Sequence, residues 1–339
     1  TGENGKRGEM IDGLAPQIAV VIPCFKVRDF VLDVIGGIGT EVQRIYVVDD
    51  ACPQGTGVWV QSQCLDARVV VICHAQNQGV GGAVLTGYAA AIADGMEVIV
   101  KMDGDGQMDP TLLADLVAPI LEDDADYTKG NRFFDLDGVD AMPGLRLLGN
   151  AALSFMTKLS SGYWDIFDPT NGYTAIHRDV VQRLPFEKIS RSYFFETDML
   201  FRLNTLRAVV IDVAMPARYG EEVSNLRIPS ILGEFLHKNV RNFLKRIFYN
   251  YYLRDMSVAS IELPVGLLLL AFGVTFGAYH WINSMTRGQW TPVGTVMLAA
   301  MPILVGLQFV LAFVASDIAS VPRRVRHRRS ANRQRGRES

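Results

Sequence analysis

The sequence is poor in the residues that build metal clusters and covalent frameworks. Among 339 residues there are only four cysteines and five histidines. Cys24, Cys52, Cys64 and Cys73 all fall in the first quarter and form no C-x-x-C pair, which argues against a zinc ribbon or a dithiol redox motif. Reduced, mostly buried thiols are expected instead. The first apolar run leads into "VIPCFKVRDF", which has no glycine. The G-x-G-x-x-G turn of a dinucleotide-dependent oxidoreductase is therefore missing from the place where it would open the first helix. No internal repeat is visible, which removes solenoids. The polar start, "TGENGKRGEMIDG", lacks a signal-peptide pattern, and residues 1–16 are expected to be disordered. Positive charge is scarce outside the end of the chain. Residues 323–339 hold eight arginines and one glutamate, about +7, within a net charge of −3, so the remainder is near −10. An acidic body with a basic tail argues against nucleic acid as a partner.

Charge is also absent from two long stretches. Residues 263–282, "LPVGLLLLAFGVTFGAYHWI", and 292–316, "PVGTVMLAAMPILVGLQFVLAFVAS", are uncharged. Each is long enough to cross a bilayer core of about 30 Å. Trp281 and Trp290 stand at the ends of the short connection, as in an interfacial belt. The arginine-rich tail at 323–339 follows directly, so the positive-inside rule predicts a cytoplasmic tail and, through the hairpin, a cytoplasmic N-terminal domain. Residues 231–258 precede the first span. Leu236, Val240, Phe243, Leu244, Ile247 and Phe248 fall on one helical face there, while Lys238, Arg241, Lys245 and Arg246 crowd the other. That pattern predicts a helix lying in the headgroup region.

From Gln17 to about residue 230 short β-branched runs alternate with helical patterns. "IAVVIP", "RIYVVDD", "ARVVVICH", "MEVIVKMDGDG" and "DYTKGNRF" read as strands. Helical patterns separate them, and continuous apolar strands of this kind predict a mostly parallel sheet covered on both faces. Each strand ends in polar residues, among them Asp49 and Asp50, His74 to Asn77, and Asp103 to Gln107. Open α/β sheets bind ligands at those ends, so a nucleotide-sized ligand is expected there. The densest cluster is "KMDGDGQMDP". Asp103 and Asp105 are separated by one of two glycines that let the backbone turn sharply. Two carboxylates at that spacing can hold one hard divalent cation and leave positions for water and phosphate oxygens.

With "VVIPCFK", "IYVVDDACPQGTG", "NQGVGGAVLTGYAAA", "KMDGDGQMDP", "KGNRF", "DPTNGYTAIH" and "ARYGEEVSNL" in this order, the chain resembles the family-two inverting glycosyltransferases of GT-A fold. Within them it is most similar to the polyisoprenyl-phosphate glycosyltransferases related to dolichol-phosphate mannose synthase, in their bacterial membrane-anchored branch. The resemblance covers most of residues 17–230. It implies a Rossmann-like α/β catalytic domain, an amphipathic juxtamembrane helix and two transmembrane helices. The implied reaction moves a sugar from a UDP- or GDP-linked donor to a polyisoprenyl, here undecaprenyl, phosphate with inversion. The resemblance further implies Mg2+ or Mn2+ as cofactor and the cytoplasmic face of a bacterial plasma membrane as the place, and a homo-oligomer is compatible with it.

Carried over residue by residue, Asp103, Asp105 and Gln107 resemble the metal and diphosphate site. Pro23, Phe25, Asp50, Asn77, Gly79 and Arg132 resemble donor contacts. Asp168, Glu196 and Asp198 join Asp103, Asp105 and Arg218 as catalytic candidates, and Arg132, Arg218 and Ser224 resemble the acceptor-phosphate set. Two motifs depart from the pattern: "PCFK" replaces an aromatic followed by Asn and Glu, and "VDDAC" replaces "VDDGS". Both bear on base recognition. A processive polysaccharide synthase would share the sheet and the acids, but its Q-x-x-R-W sequence is absent. Transfer to another lipid or polysaccharide acceptor would be compatible with the same motifs, as would a non-catalytic membrane scaffold that keeps the transferase fold.

Overall fold

The computed structural model of the protein describes residues 16–132, 144–216 and 228–327. The chain divides into two compact units, one of residues 1–242 with 322–339 and the other of residues 243–321.

The first unit is built on seven strands: β1 (Ile18–Cys24), β2 (Val42–Asp49), β3 (Val69–Cys73), β4 (Val98–Lys101), β5 (Tyr127–Asn131), β6 (Thr174–His177) and β7 (Val210–Ala214). Helices α1 (Val31–Gly37), α2 (Thr56–Gln63), α3 (Val80–Ala93), α4 (Leu113–Leu121), α5 (Gly144–Ser161), α6 (Arg178–Val181) and α7 (Phe195–Leu206) connect and cover them. The strand order is β3-β2-β1-β4-β6-β5-β7. β1 is parallel to both β2 and β4, and the chain reverses its direction of travel across the sheet there. Every residue of β1 is buried, and Ile18, Val20, Ile22, Val47, Val100 and Leu116 are among those that form the main core. Each such side chain contributes roughly 1.5–3 kcal/mol by leaving water.

Six strands run in one direction, as the apolar runs predict, and β6 runs against both its neighbours β4 and β5. Its four residues, "TAIH", carry no orientation signal. The antiparallel insertion has one consequence for the site: Thr174 pairs with Lys101, so the loop entering β6 lies at the same edge as the end of β4. Helix α2, "TGVWVQSQ", lacks a helical apolar period; the carboxylate of Asp49 holds it by accepting from Cys52 N at 2.6 Å and Gly57 N at 2.5 Å.

In the second unit α9 (Ala259–Arg287) and α10 (Val293–Ala319) are both long and apolar enough to cross a membrane; α9 overruns the stretch expected from sequence at both ends and α10 at its C-terminal end. At 1.5 Å per residue the 29 residues of α9 span roughly 43 Å. Glycines let the two helices approach closely. A Cβ on Gly273 would lie 2.6 Å from Ile303 Cγ1 and 2.7 Å from Ala299 O.

Helix α8 (Ile228–Ile247) and the π-helical turn Phe248–Arg254 carry the chain from one unit to the other. Leu236, Val240, Leu244 and Phe248 form an exposed stripe at four-residue spacing, between 48 % and 61 % accessible. The polar residues Asn239, Asn242, Arg246 and Asn250 are buried. Ile247, expected on the apolar face, is buried, and Arg246, expected among the headgroup-facing cations, is also fully buried. The reason is Asp317 of α10, which takes Arg246 Nη1 at 2.6 Å and Nη2 at 2.9 Å and Tyr251 OH at 2.7 Å.

Candidate active site

The first cluster of polar groups lies where β1 and β2 end. Asp50 is buried, and its carboxylate accepts from Gln78 N and Gly79 N, both at 2.8 Å. His74 Nδ1 lies 2.7 Å from the same carboxylate, and Asn77 Nδ2 donates to the Asp50 carbonyl at 3.1 Å. Asp50, Asn77 and Gly79 thus come together as one loop support at the start of α3. Gly79 has φ +83°, and a Cβ would overlap the Arg191 carbonyl oxygen, so only glycine fits. Pro23 is buried at the end of β1, while Phe25 is 44 % exposed beside it.

The two motif departures meet in space. Lys26 and Ala51 both have left-handed backbones, at φ 61° and 53°, and Lys26 N donates to Cys52 Sγ at 3.1 Å. Cys52 also lies 3.2 Å from Thr56 Oγ1. Burial pushes its thiol up, but the Thr56 hydroxyl and the surrounding backbone N–H groups outweigh that and lower its pKa.

The second cluster closes β4. Lys101 is 1 % exposed, and its ammonium meets three acceptors: Asp103 Oδ1 at 2.9 Å, Glu196 Oε1 at 3.1 Å and the Gly172 carbonyl at 3.2 Å. Burial disfavours the cation, but Asp103 and Glu196 outweigh it and raise the pKa. Lys101 therefore remains charged. Gly172 makes the room, because a Cβ there would overlap Lys101 Nζ and sit 2.7 Å from Asp103 Oδ2. Asp105 Oδ1 accepts from Gln107 N at 3.1 Å, which folds the turn through Gly106 at φ +77°. Asp103, Asp105 and Gln107 are all partly accessible. Among the described residues no third His, Cys, Asp or Glu completes a metal cluster. The donor set of two hard carboxylates on a glycine-bearing turn nevertheless suits a cation that shares its coordination with a diphosphate and water.

The third cluster closes β5. Arg132 is paired with the buried Asp168 through Nε at 2.8 Å and Nη2 at 3.2 Å. Lys129 is also buried and donates to the Asn171 carbonyl. Burial pulls its pKa down to about 8 against the nearby charges of Asp168, Glu196 and Asp212. Burial likewise pushes Asp212 up to about 6, although Phe167 N donates to it at 2.8 Å.

Glu196 and Asp198 separate on α7, since two positions are roughly 200° apart around a helix. Glu196 reaches Lys101. Asp198 instead accepts from Ser190 N and Asn242 Nδ2, both at 2.9 Å, and is buried. Arg218 and Ser224 lie outside the described residues. Sequence reasoning misses Lys101, Lys129, Gly172 and Asp212. The available signal is a charge inside a strand that reads as buried, "VIVK", "YTKGN" or "VIDVA", which demands a counter-charge at the same depth.

An open α/β sheet whose central strand carries two carboxylates past its end, beside a buried cation, is the arrangement in which α/β enzymes bind nucleotide-activated substrates. Residues 19–184 match the family described as glycosyl transferase family 2. The chain is 30 % identical over 192 residues to undecaprenyl-phosphate mannosyltransferase of Micrococcus luteus, covering 56 % of this chain and 78 % of that protein. It is 27 % identical over 190 residues to UDP-N-acetylglucosamine–dolichyl-phosphate N-acetylglucosaminyltransferase of Methanococcus voltae, covering 52 % and 75 %. Among solved structures it resembles glucosyl-3-phosphoglycerate synthase from Mycobacterium tuberculosis in complex with Mn2+, UDP and phosphoglyceric acid. There the TM-score is 0.51 at 18 % identity, covering 68 % of this chain and 78 % of that one, a likeness of fold. The chain belongs to glycosyl transferase family 2 and is a glycosyltransferase of GT-A fold.

Proposed function

We propose that this enzyme transfers a sugar from a UDP- or GDP-linked donor to a polyisoprenyl phosphate, of undecaprenyl type, at the cytoplasmic face of a bacterial plasma membrane. The observation that carries the reading is the Asp103–Asp105 turn on the switch-point strand, held by buried Lys101, in a chain that also has two membrane-length apolar helices. The activities for which the Micrococcus luteus and Methanococcus voltae relatives are named support the acceptor class.

Asp103 and Asp105, with Gln107 beside them, would hold the divalent cation, Mg2+ or Mn2+, which neutralises charge on the departing diphosphate when bound. Asp50 orders the Asn77–Gly79 loop against which the donor would lie. A phosphate oxygen of the acceptor is already anionic and needs little deprotonation. The chief obstacle is bringing two phosphate anions together, which is a problem of electrostatic preorganisation. Arg132, fixed by Asp168, is placed to meet that charge, and Arg218 and Ser224 are assigned to the same task. Glu196 faces the site from α7, and Asp198 supports it from the far side of that helix. The inverted helix α8, apolar outwards, fits a segment lying in the lipid headgroup layer, where the acceptor phosphate resides.

Membranes carrying the enzyme, supplied with Mn2+, polyprenyl phosphate and a panel of radiolabelled nucleotide sugars, test this directly. Label from one donor should enter the organic phase only when polyprenyl phosphate is present. Label that enters a polymer or free sugar instead would overturn the acceptor assignment.

A further inference from the structure

Lys101 has a role that the family assignment leaves open. Its three N–H donors are matched one to one by Asp103, Glu196 and the Gly172 carbonyl, all between 2.9 and 3.2 Å, and the lysine itself is only 1 % exposed. An ammonium group has three donors and no acceptor, so this one has no capacity left over. It is bound to one of the two carboxylates that would have to hold the divalent cation. A like charge fixed beside a ligand oxygen opposes the arrival of a dication, and in partly buried surroundings that opposition is several times stronger than in water. Its position is built in rather than incidental. Gly172 lacks the Cβ that would displace it, and β6 is registered so that Thr174 faces Lys101. Glu196 shares the ammonium with Asp103, and among the described residues no third His, Cys, Asp or Glu joins Asp103 and Asp105 in a metal-holding group.

We propose that Lys101 is a resident cation that makes divalent-ion binding at Asp103 and Asp105 depend on the nucleoside diphosphate. Before the donor arrives, Lys101 holds Asp103 and Glu196 in place, and the free ion binds weakly. The donor's diphosphate supplies the extra negative charge and the additional oxygens that overcome the opposing ammonium. Ion and donor consequently enter as one unit, and the acids do not collect a cation that would have to leave first. Lys101 is a positioning residue in this scheme: it touches Asp103 and Glu196, not the substrate.

This inference rests on the metal-assisted reading of the site, and the two can be separated. Mn2+ binding to the full-length protein in detergent micelles is measured by electron paramagnetic resonance, alone and with UDP or GDP. The wild-type protein should bind Mn2+ at least tenfold more tightly with one of the diphosphates than without. Lys101→Met should tighten binding of Mn2+ alone by about tenfold and reduce the effect of the diphosphate. Lys101→Arg, which keeps the charge, should behave like the wild type. Should Lys101→Met fail to fold, Glu196→Gln gives the answer: with its second anion removed, Lys101 leans on Asp103 alone and Mn2+ alone should bind more weakly still. Unchanged binding of Mn2+ alone in the folded Lys101→Met protein, or tighter binding in Glu196→Gln, would overturn the role of Lys101. Absence of Mn2+ binding to the wild type with either diphosphate would instead overturn the metal-assisted reading itself.

Discussion

Burying a lysine ammonium costs several kcal/mol before its partners are counted, and among the described residues the catalytic unit buries Lys101 and Lys129. Acids of the site are held by cations, Asp103 and Glu196 by the buried Lys101 and the buried Asp168 by Arg132. Asp105 shapes the turn that follows, through Gln107 N. Asp105→Asn keeps an acceptor for that bond and removes a charge. It should abolish transfer while leaving the thermal unfolding midpoint within a few degrees of wild type. Turnover like that of the wild type would remove the metal site. Gly172→Ala should do the opposite, since a Cβ there displaces Lys101 from a packed site. It should cost about 1–3 kcal/mol of stability as well as activity, measured by denaturant unfolding. The paired acids could be read from the sequence because glycine, charge and strand end coincide in ten residues. The enclosure of Lys101 could not, because Gly172, Glu196 and Lys101 meet only through the register of β6 and the first turn of α7.

The alternation of apolar strands and helical segments reveals a mostly parallel sheet, because its strands are buried on both faces. β6 escapes that reasoning, as an antiparallel strand between two parallel neighbours has the same buried pattern. Helix α8 shows a different limit. Periodicity identifies its apolar stripe correctly at Leu236, Val240, Leu244 and Phe248, yet it assigns Arg246 to the solvent side. The partner that draws Arg246 inward is Asp317, 71 residues away. Removing one member of such a buried pair leaves an uncompensated charge. Arg246→Met should therefore lower stability by about 3–5 kcal/mol, and adding Asp317→Leu should restore much of that loss. Thermal unfolding of both variants in detergent checks this, and a double variant no better than the single one would contradict it.

At the scale of the whole molecule, the chain leaves the catalytic unit at Asn242 and rejoins it at Pro322. In the proposed topology, in which α9 and α10 each cross the membrane, the chain would return to the side it left. The return is anchored at the end of the sheet opposite the candidate site. Arg326 N and His327 N donate to the buried Asp126, and His327 pairs with Asp126 at 2.9 Å and Asp123 at 2.9 Å. His177 stacks on the His327 ring at 4.2 Å, with Glu97 behind it at 3.9 Å. Burial disfavours the His327 cation, but Asp126 and Asp123 outweigh it and raise its pKa above 6.5. Burial also opposes the Asp126 anion, yet His327 and three backbone N–H groups lower its pKa below 3.8. The His327 contribution is complete below its ordinary pKa and is lost as pH rises through the elevated one. The Asp126 contribution is complete above its ordinary pKa and is lost as pH falls through the depressed one. Protection of the amides at residues 322–327 against hydrogen exchange, relative to their intrinsic rate at each pH, should be greatest between those limits, and His327→Gln should remove the alkaline limb only. The central claim, sugar transfer onto a phosphate lipid with loss of a nucleoside diphosphate, is tested most directly by product stoichiometry. With the donor selected by the panel, the amount of nucleoside diphosphate released is compared with the amount of lipid-linked sugar formed in proteoliposomes. The account predicts one of each per turnover, in strict dependence on polyprenyl phosphate and absent in Asp105→Asn. Diphosphate release without lipid-linked product, or at an undiminished rate in Asp105→Asn, would contradict it.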